Sequence, residues 1–246
     1  MGLTEAVVAK LLLVLMGAAA FERTFRAYRR RRRDPQPMIS GQEALARLRE
    51  GNRGFVASIH DPAAALGRTR RLPLPDVQEP FAIVLGCSDS RVPAELVFGQ
   101  GFGDLFVIRV AGNIVAPSQV GSVEFAAARF GTRLAVVLGH TQCGAIAATL
   151  DELCQPTSHQ SPNLRSIVDR IRPSVEPLLA TAVGLEPEAL LAHAVRANIR
   201  AAADHLRHGS EILERLVERD GLLIIGAEYC LQTGIVDFFD GVPEAA

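Results

Sequence analysis

The sequence predicts an α/β fold: a single domain on a mainly parallel, doubly wound central sheet, with four parallel strands, an antiparallel edge strand and flanking helices. Three observations carry this expectation. The short apolar runs Phe81–Leu85, Leu105–Val110 and Leu134–Leu138 read as strands buried on both faces, the habit of parallel sheets. Stretches of helical periodicity separate and follow them, as strand–helix alternation requires. Two polar clusters, Cys87-Ser88-Asp89-Ser90-Arg91 and Gly139-His140-Thr141-Gln142-Cys143-Gly144, stand just past the first and third runs, where open α/β sheets place their ligands.

A chain of 246 residues fits one large domain, or one domain with an extension. Its hydrophobic content of 48% is ample for a core. With 26 Lys and Arg against 27 Asp and Glu, no global charge points to nucleic acid. Four cysteines, two of them in the polar clusters, make no disulfide framework, and a reducing compartment, the cytoplasm, is expected. Cys154 and Cys230 are expected to be small buried residues.

Residues 1–37 form an N-terminal apolar and Arg-rich extension, unlike residues 38–246. The apolar run Leu11–Phe21 would span about 16 Å as a helix, roughly half a bilayer core. Charge follows this run (Arg29–Arg33) more than it precedes it, opposite to a secretory signal. A membrane-associated helix through residues 6–33, an exported signal and a helical arm on a partner subunit all stay open. The Arg block has no interleaved aromatic residue and reads as a solvated face, not a nucleic-acid site.

Asp34-Pro35-Gln36-Pro37 marks the boundary. Ser40 with Glu43 three residues on is a capping box, opening a helix with Ala44, Leu45 and Leu48 on its apolar face and an end at Asn52–Phe55. His60–Gln78 reads as loop and short helix. Gly99–Gly103 is glycine-rich but feeds a strand instead of a helix, so it reads as a tight turn and not a phosphate loop. Ser118–Phe130 is an amphipathic helix ended by Gly131, and another begins at Cys143. From Leu150 to Asp220 the pattern is helical, divided at Pro156, Pro162, Pro173, Pro177 and Pro187, with Glu188–His208 the longest segment. Leu222–Ile225 is the fourth strand, and Ile235–Phe239 the edge strand.

The clusters supply Cys87, Asp89, His140 and Cys143, all zinc-ligand types; three protein ligands plus one exchangeable position make a catalytic zinc site. His140 and Cys143 lie three apart, and one turn of helix would place both on one side. Cys87 and Asp89 lie two apart and would point the same way from an extended strand end. Such a metal lowers the pKa of bound water toward neutrality and supplies hydroxide. Asp89 as a fourth ligand would close the site. Arg91 is placed for a bidentate pair with Asp89 that leaves the metal free. The backbone N–H of Gly144, at a helix start, suits a developing negative charge.

These two clusters resemble the zinc signature of the β-class carbonic anhydrases. Asp104–Asn113 and Gly121–Phe125 match further blocks of that family in order and spacing, and the resemblance runs from about Ile39 to Phe239. It implies one zinc ion per chain on Cys87, His140 and Cys143, an Asp89–Arg91 catalytic dyad, and reversible hydration of carbon dioxide to bicarbonate and a proton. It also implies a homodimer or higher homo-oligomer, clasped by the first helix. Gln78, nine residues before Cys87, matches a glutamine that contacts the substrate, and Phe106, Ala111 and Phe125 fall at positions lining the family's apolar pocket. For these three, core packing explains the residues equally well, and Arg109 also reads as a structural pair. Members that hold bicarbonate at a second site carry Trp three residues before the first cysteine; here that residue is Val84. Hydrolysis of carbonyl sulfide or carbon disulfide at the same site, or a non-enzymatic zinc scaffold, are the competing readings.

Overall fold

The computed structural model describes residues 39–60, 76–156, 161–181 and 184–244. The extension 1–37, with its membrane, export and arm readings, lies outside the described residues. Among the described residues, no helix is long and apolar enough to cross a membrane.

The elements are α1 (Gly41–His60), β1 (Ala82–Gly86), the short α2 (Ala94–Val97), β2 (Leu105–Arg109), a 3₁₀ turn (Ala111–Asn113), α3 (Pro117–Phe130), β3 (Leu134–His140), α4 (Gly144–Cys154), α5 (Pro162–Thr181), α6 (Pro187–His208), α7 (Glu211–Arg219), β4 (Leu223–Tyr229) and β5 (Val236–Asp240). The strands make one sheet in the order β2-β1-β3-β4-β5. All neighbours run parallel except β4 and β5, which are antiparallel. This is the expected fold: a mainly parallel, doubly wound α/β sheet with an antiparallel edge strand.

Strand residues alternate between two cores, as a period of two requires. Ile83 and Leu85 of β1, with Ala135 and Val137 of β3, pack under α3, α4, α5, α6 and α7. Ala82 and Val84, with Leu134, Val136 and Leu138, pack on the other face under α1 and α2. On the first face α6 comes close to the sheet at Gly139, where an added Cβ would stand 2.5 Å from Ile199 Cδ1. Glycine therefore sits one residue before the last position of β3 because helix and strand leave no room for a side chain.

The capping box forms: Glu43 N–H donates to Ser40 Oγ at 3.2 Å, and Ser40 N–H to Glu43 Oε2 at 2.8 Å. The first helix runs past Asn52–Phe55 to His60. Asn52 does not end it because its side chain is engaged elsewhere, donating to Val97 O and Gly234 O and accepting from Val236 N–H. Helix α5 likewise continues through Pro173 and Pro177. Ile171 and Val175, one turn apart and both fully buried, hold it on the core despite the lost backbone donors. Gly99 and Gly103 take positive φ of 57° and 87°, in the expected turn before β2. Cys154 is exposed and Cys230 half-buried, correcting the expectation of two buried thiols: one ends α4 and the other lies beyond β4, both outside the packed layers.

Candidate metal centre

Sheet order decides where a site can form. From β1 the chain passes to β2 on one side and then to β3 on the other, so the connections diverge between β1 and β3, and α/β sheets bind ligands in that crevice at the strands' carboxyl ends. Cys87 follows the last residue of β1, and His140 is the last residue of β3.

Cys143 reaches the same point by a route different from the one expected. His140 and Cys143 do not share a helical turn. His140 ends the strand, Thr141 and Gln142 make a turn with Gln142 at φ 58°, and Cys143 caps α4. Amides of the first turn, those of Ala145 and Ile146, face the Cys143 thiol and favour its ionised form, as a helix N-terminus should.

Cys87, His140 and Cys143 are all buried, with their ligand atoms within 4.8 Å of one another. The two sulfurs are 3.9 Å apart, close to the ~3.8 Å that tetrahedral geometry gives for two Zn–S bonds of about 2.3 Å. The two thiols are coupled. Hydrogen bonding to Cys143 draws the Cys87 thiol down to about 4, while Cys143 holds the shared proton and is pushed up. Burial works against a charged His140, but the nearby Cys87 sulfur outweighs it and raises its pKa. His140 Nδ1 lies 2.9 Å from Thr141 O, so Nδ1–H donates there and Nε2 keeps its lone pair. Nε2 is buried with no hydrogen-bond partner among the described residues. Two ionisable sulfurs and one orphaned imidazole nitrogen around one point fit a zinc ion.

Asp89 stands at the rim. Its Oδ1 accepts from Arg91 N–H and Nε–H, both at 2.9 Å, and its Oδ2 from Arg91 Nη2 at 2.7 Å. The same Oδ2 lies 3.8 Å from His140 Nε2. The Arg91 hydrogen bonds hold the Asp89 carboxyl well below the usual carboxylate range. The bidentate pair is thus formed, within reach of the metal position.

The other expected residues divide. Gly144 opens α4 beside Cys143, with open space where a side chain would point. Ala111 starts the 3₁₀ turn, next to Gly112, whose N–H favours the ionised Cys87 thiol. Gly112 takes φ 67° and its carbonyl accepts from Asn198 Nδ2 at 2.8 Å. Phe106 pairs in register with Ile83 and clusters with Phe125 and Phe130, the ring centroids 5.7 to 6.1 Å apart. Phe125 is 52% exposed. Gln78 is exposed and precedes the amino end of β1, opposite to Cys87, and β1 alone spans about 16 Å. One chain does not bring Gln78 to its own metal centre.

Sequence reasoning reads Arg109 only as a structural pair, without its partners, and misses Asn198. Arg109 Nε–H donates to Cys87 O at 3.1 Å, and its Nη2 to Asp89 O at 2.6 Å. Asn198, buried on α6, bonds Gly112 from 86 residues away. A polar residue at a core-facing position of an amphipathic helix was the only signal for Asn198, and Arg109 at the end of an apolar strand the signal for the other. His193, His205 and His208 are exposed.

Comparison with known proteins agrees with this geometry. The family model described as carbonic anhydrase matches residues 82–236. A carbonic anhydrase of Mycolicibacterium smegmatis is 44% identical over 140 residues, covering 56% of this chain and 65% of that protein, so this alignment spans just under two thirds of the relative. Carbonic anhydrase 2 of Mycobacterium tuberculosis is 38% identical over 203 residues, covering 80% of this chain and 92% of the relative. The crystal structure of the β-carbonic anhydrase CafA of Aspergillus fumigatus shares the fold, with a TM-score of 0.60 at 24% identity, over 82% of this chain and 91% of that one. By its matched residues and its sheet, the chain belongs to the β-class carbonic anhydrases, enzymes whose general reaction is the hydration of carbon dioxide.

Proposed function

We propose that Cys87, His140 and Cys143 hold one zinc ion per chain, and that this centre, with Asp89 and Arg91 as catalytic residues, hydrates carbon dioxide reversibly to bicarbonate and a proton. The observation that carries the reading is the buried, unpartnered Nε2 of His140 facing two sulfurs 3.9 Å apart. When bound, the metal supplies Lewis acidity that makes hydroxide available near neutral pH.

The chain's own residues do the rest. The Gln142 turn and the α4 cap fix Cys143, and the Thr141 carbonyl fixes the His140 tautomer. Asp89, kept ionised by Arg91, offers Oδ2 beside the metal position as a hydrogen-bond acceptor that orients the nucleophile toward the substrate carbon. Kept on Arg91, it also stays off the metal; released, it would be a fourth ligand and close the site. The N–H of Gly144 suits the substrate oxygen that gains charge.

Gln78 supports a homo-oligomeric reading. At the far end of β1, it can meet substrate only in a second copy's site, and the exposed Phe125 ring beside Phe106 would be covered in such an assembly. Two relatives from Sordaria macrospora are described as tetrameric, and a homodimer or larger homo-oligomer is the state we infer for this chain. The catalytic domain lies within residues 38–246. Four free cysteines, two of them metal ligands, suit a reducing compartment, the cytoplasm.

Stopped-flow hydration of carbon dioxide with metal analysis tests the reading. The unsubstituted chain should carry about one zinc and be active, and Cys143→Ala should lose both, because two remaining ligands do not make a zinc site. Full zinc occupancy in Cys143→Ala would remove Cys143 from the ligand set.

A further inference from the structure

Where β1 ends, the chain leaves the sheet. The last ladder bond on this side is Val110 N–H to Gly86 O, at 3.1 Å. The next residues, Cys87 to Asp89, carry the first sulfur and the adjustable carboxylate, yet among the described residues no strand pairs with them. Arg109, the last residue of β2 and the register partner of Gly86, takes over that role. Its Nε–H and Nη2–H hold Cys87 O at 3.1 Å and Asp89 O at 2.6 Å. Asp89 O also accepts Val92 N–H at 3.0 Å, so Arg109 supplies the bond that runs back to the sheet.

Resting on the zinc reading above, we propose that Arg109 is a positioning residue: its guanidinium extends the β2 ladder by two carbonyls, aiming Cys87 at the metal and holding the backbone of Asp89 so that its carboxylate stays on Arg91. The geometry demands a fork. Two carbonyls two residues apart are gripped by two donors in a fixed plane, which lysine cannot reproduce with a single ammonium. The hold matters because Asp89 Oδ2 is already 3.8 Å from His140 Nε2. A small rotation of the 88–89 backbone would carry it onto the metal, where it would exclude water and anions. Arg109 touches neither the metal position nor the carboxylate, and acts through the backbone of residues that do.

The test uses full-length Arg109→Ala, Arg109→Lys and Cys87→Ala with the unsubstituted chain. Zinc affinity is measured by competition with a chelator, azide affinity by the visible spectrum of the cobalt-substituted protein, and folding by thermal unfolding of the metal-free chain. Arg109→Ala should bind zinc about 10- to 100-fold more weakly, the usual cost of losing an outer-shell partner, and azide about tenfold more weakly per bound metal. Arg109→Lys, with charge and stem kept, should recover little of the azide affinity. The inference is overturned if both constants stay within about twofold of the unsubstituted chain in Arg109→Ala. It is equally overturned if Arg109→Lys matches the unsubstituted chain, or if the only change is a lower melting temperature. Should Arg109→Ala not fold, Arg109→Lys decides by the same azide constant. If the unsubstituted chain binds neither metal, or Cys87→Ala binds both normally, the zinc reading itself fails and takes this inference with it; normal metal binding with unchanged Arg109 variants fails the inference alone.

Discussion

The two loops that meet at the metal position are built by opposite means. The loop after β3 is made of regular structure: His140 pairs in register with Tyr229, Thr141 N–H donates to Tyr229 O at 3.0 Å, Leu231 N–H donates to Thr141 Oγ1 at 3.1 Å, and Cys143 caps a helix. Backbone geometry, with one bond to the Thr141 hydroxyl, places two ligands there. The loop after β1 is held by side chains, with Arg109 on its carbonyls and Arg91 on Asp89. The difference separates grip from adjustment. The first loop can only bind, whereas the second carries a group whose position decides whether the site is open.

The largest effect expected from this contrast is at Arg91. In Arg91→Ala, Asp89 loses both side-chain bonds from that residue, keeps only the one from its backbone N–H, and becomes free to turn Oδ2 toward the metal. Zinc should be retained while hydration activity falls by about 10²–10⁴, the usual worth of a positioned proton acceptor, and azide should no longer bind. Retained azide binding would mean that the β1 loop keeps the site open without Arg91.

A smaller effect is expected in the pH dependence of stability. The folded Asp89 carboxyl lies below its unfolded value. Its pair with Arg91 therefore stabilises the fold fully above the ordinary carboxylate range, and that contribution disappears as pH falls through the depressed folded value. The melting temperature of metal-free Arg91→Gln should lie below that of the unsubstituted chain at about pH 7, and the gap should close toward about pH 2. Arg91 is half exposed, so solvent screening keeps the gap small. A gap that widens with acidification would reverse the assigned sign.

The smallest effect is an absence of regulation on the β1 side. Val84 is fully buried among Ala82, Val136 and Leu138 and offers no indole N–H for a second bicarbonate. Inhibition by bicarbonate should follow a simple hyperbola. A sigmoidal curve would place a second bicarbonate site somewhere other than beside a tryptophan.

Legibility followed the same division. The strands and the ligands Cys87, His140 and Cys143 were readable because local pattern specifies them: apolar runs, then polar residues just past their ends. The extents of α1 and α5 were misread because Asn52, Pro173 and Pro177 have local preferences that distant packing overrides. The partners of Arg109 and the role of Asn198 were not legible because each acts on carbonyls 20 to 86 positions away, a separation no periodicity encodes. Gln78 was readable as a motif residue, but its place at the wrong end of β1 became visible only with the strand direction fixed in space.

The central claim is that Asp89 belongs to the adjustable loop and not to the grip on the metal. Zinc content and hydration rate measured side by side on Asp89→Ala and Cys87→Ala test it most directly. Three nitrogen and sulfur ligands suffice for a catalytic zinc site, so Asp89→Ala should keep close to one zinc per chain while losing most of its activity, and Cys87→Ala should lose the zinc. An Asp89→Ala chain that loses zinc as completely as Cys87→Ala would make the carboxylate a structural ligand and contradict the account.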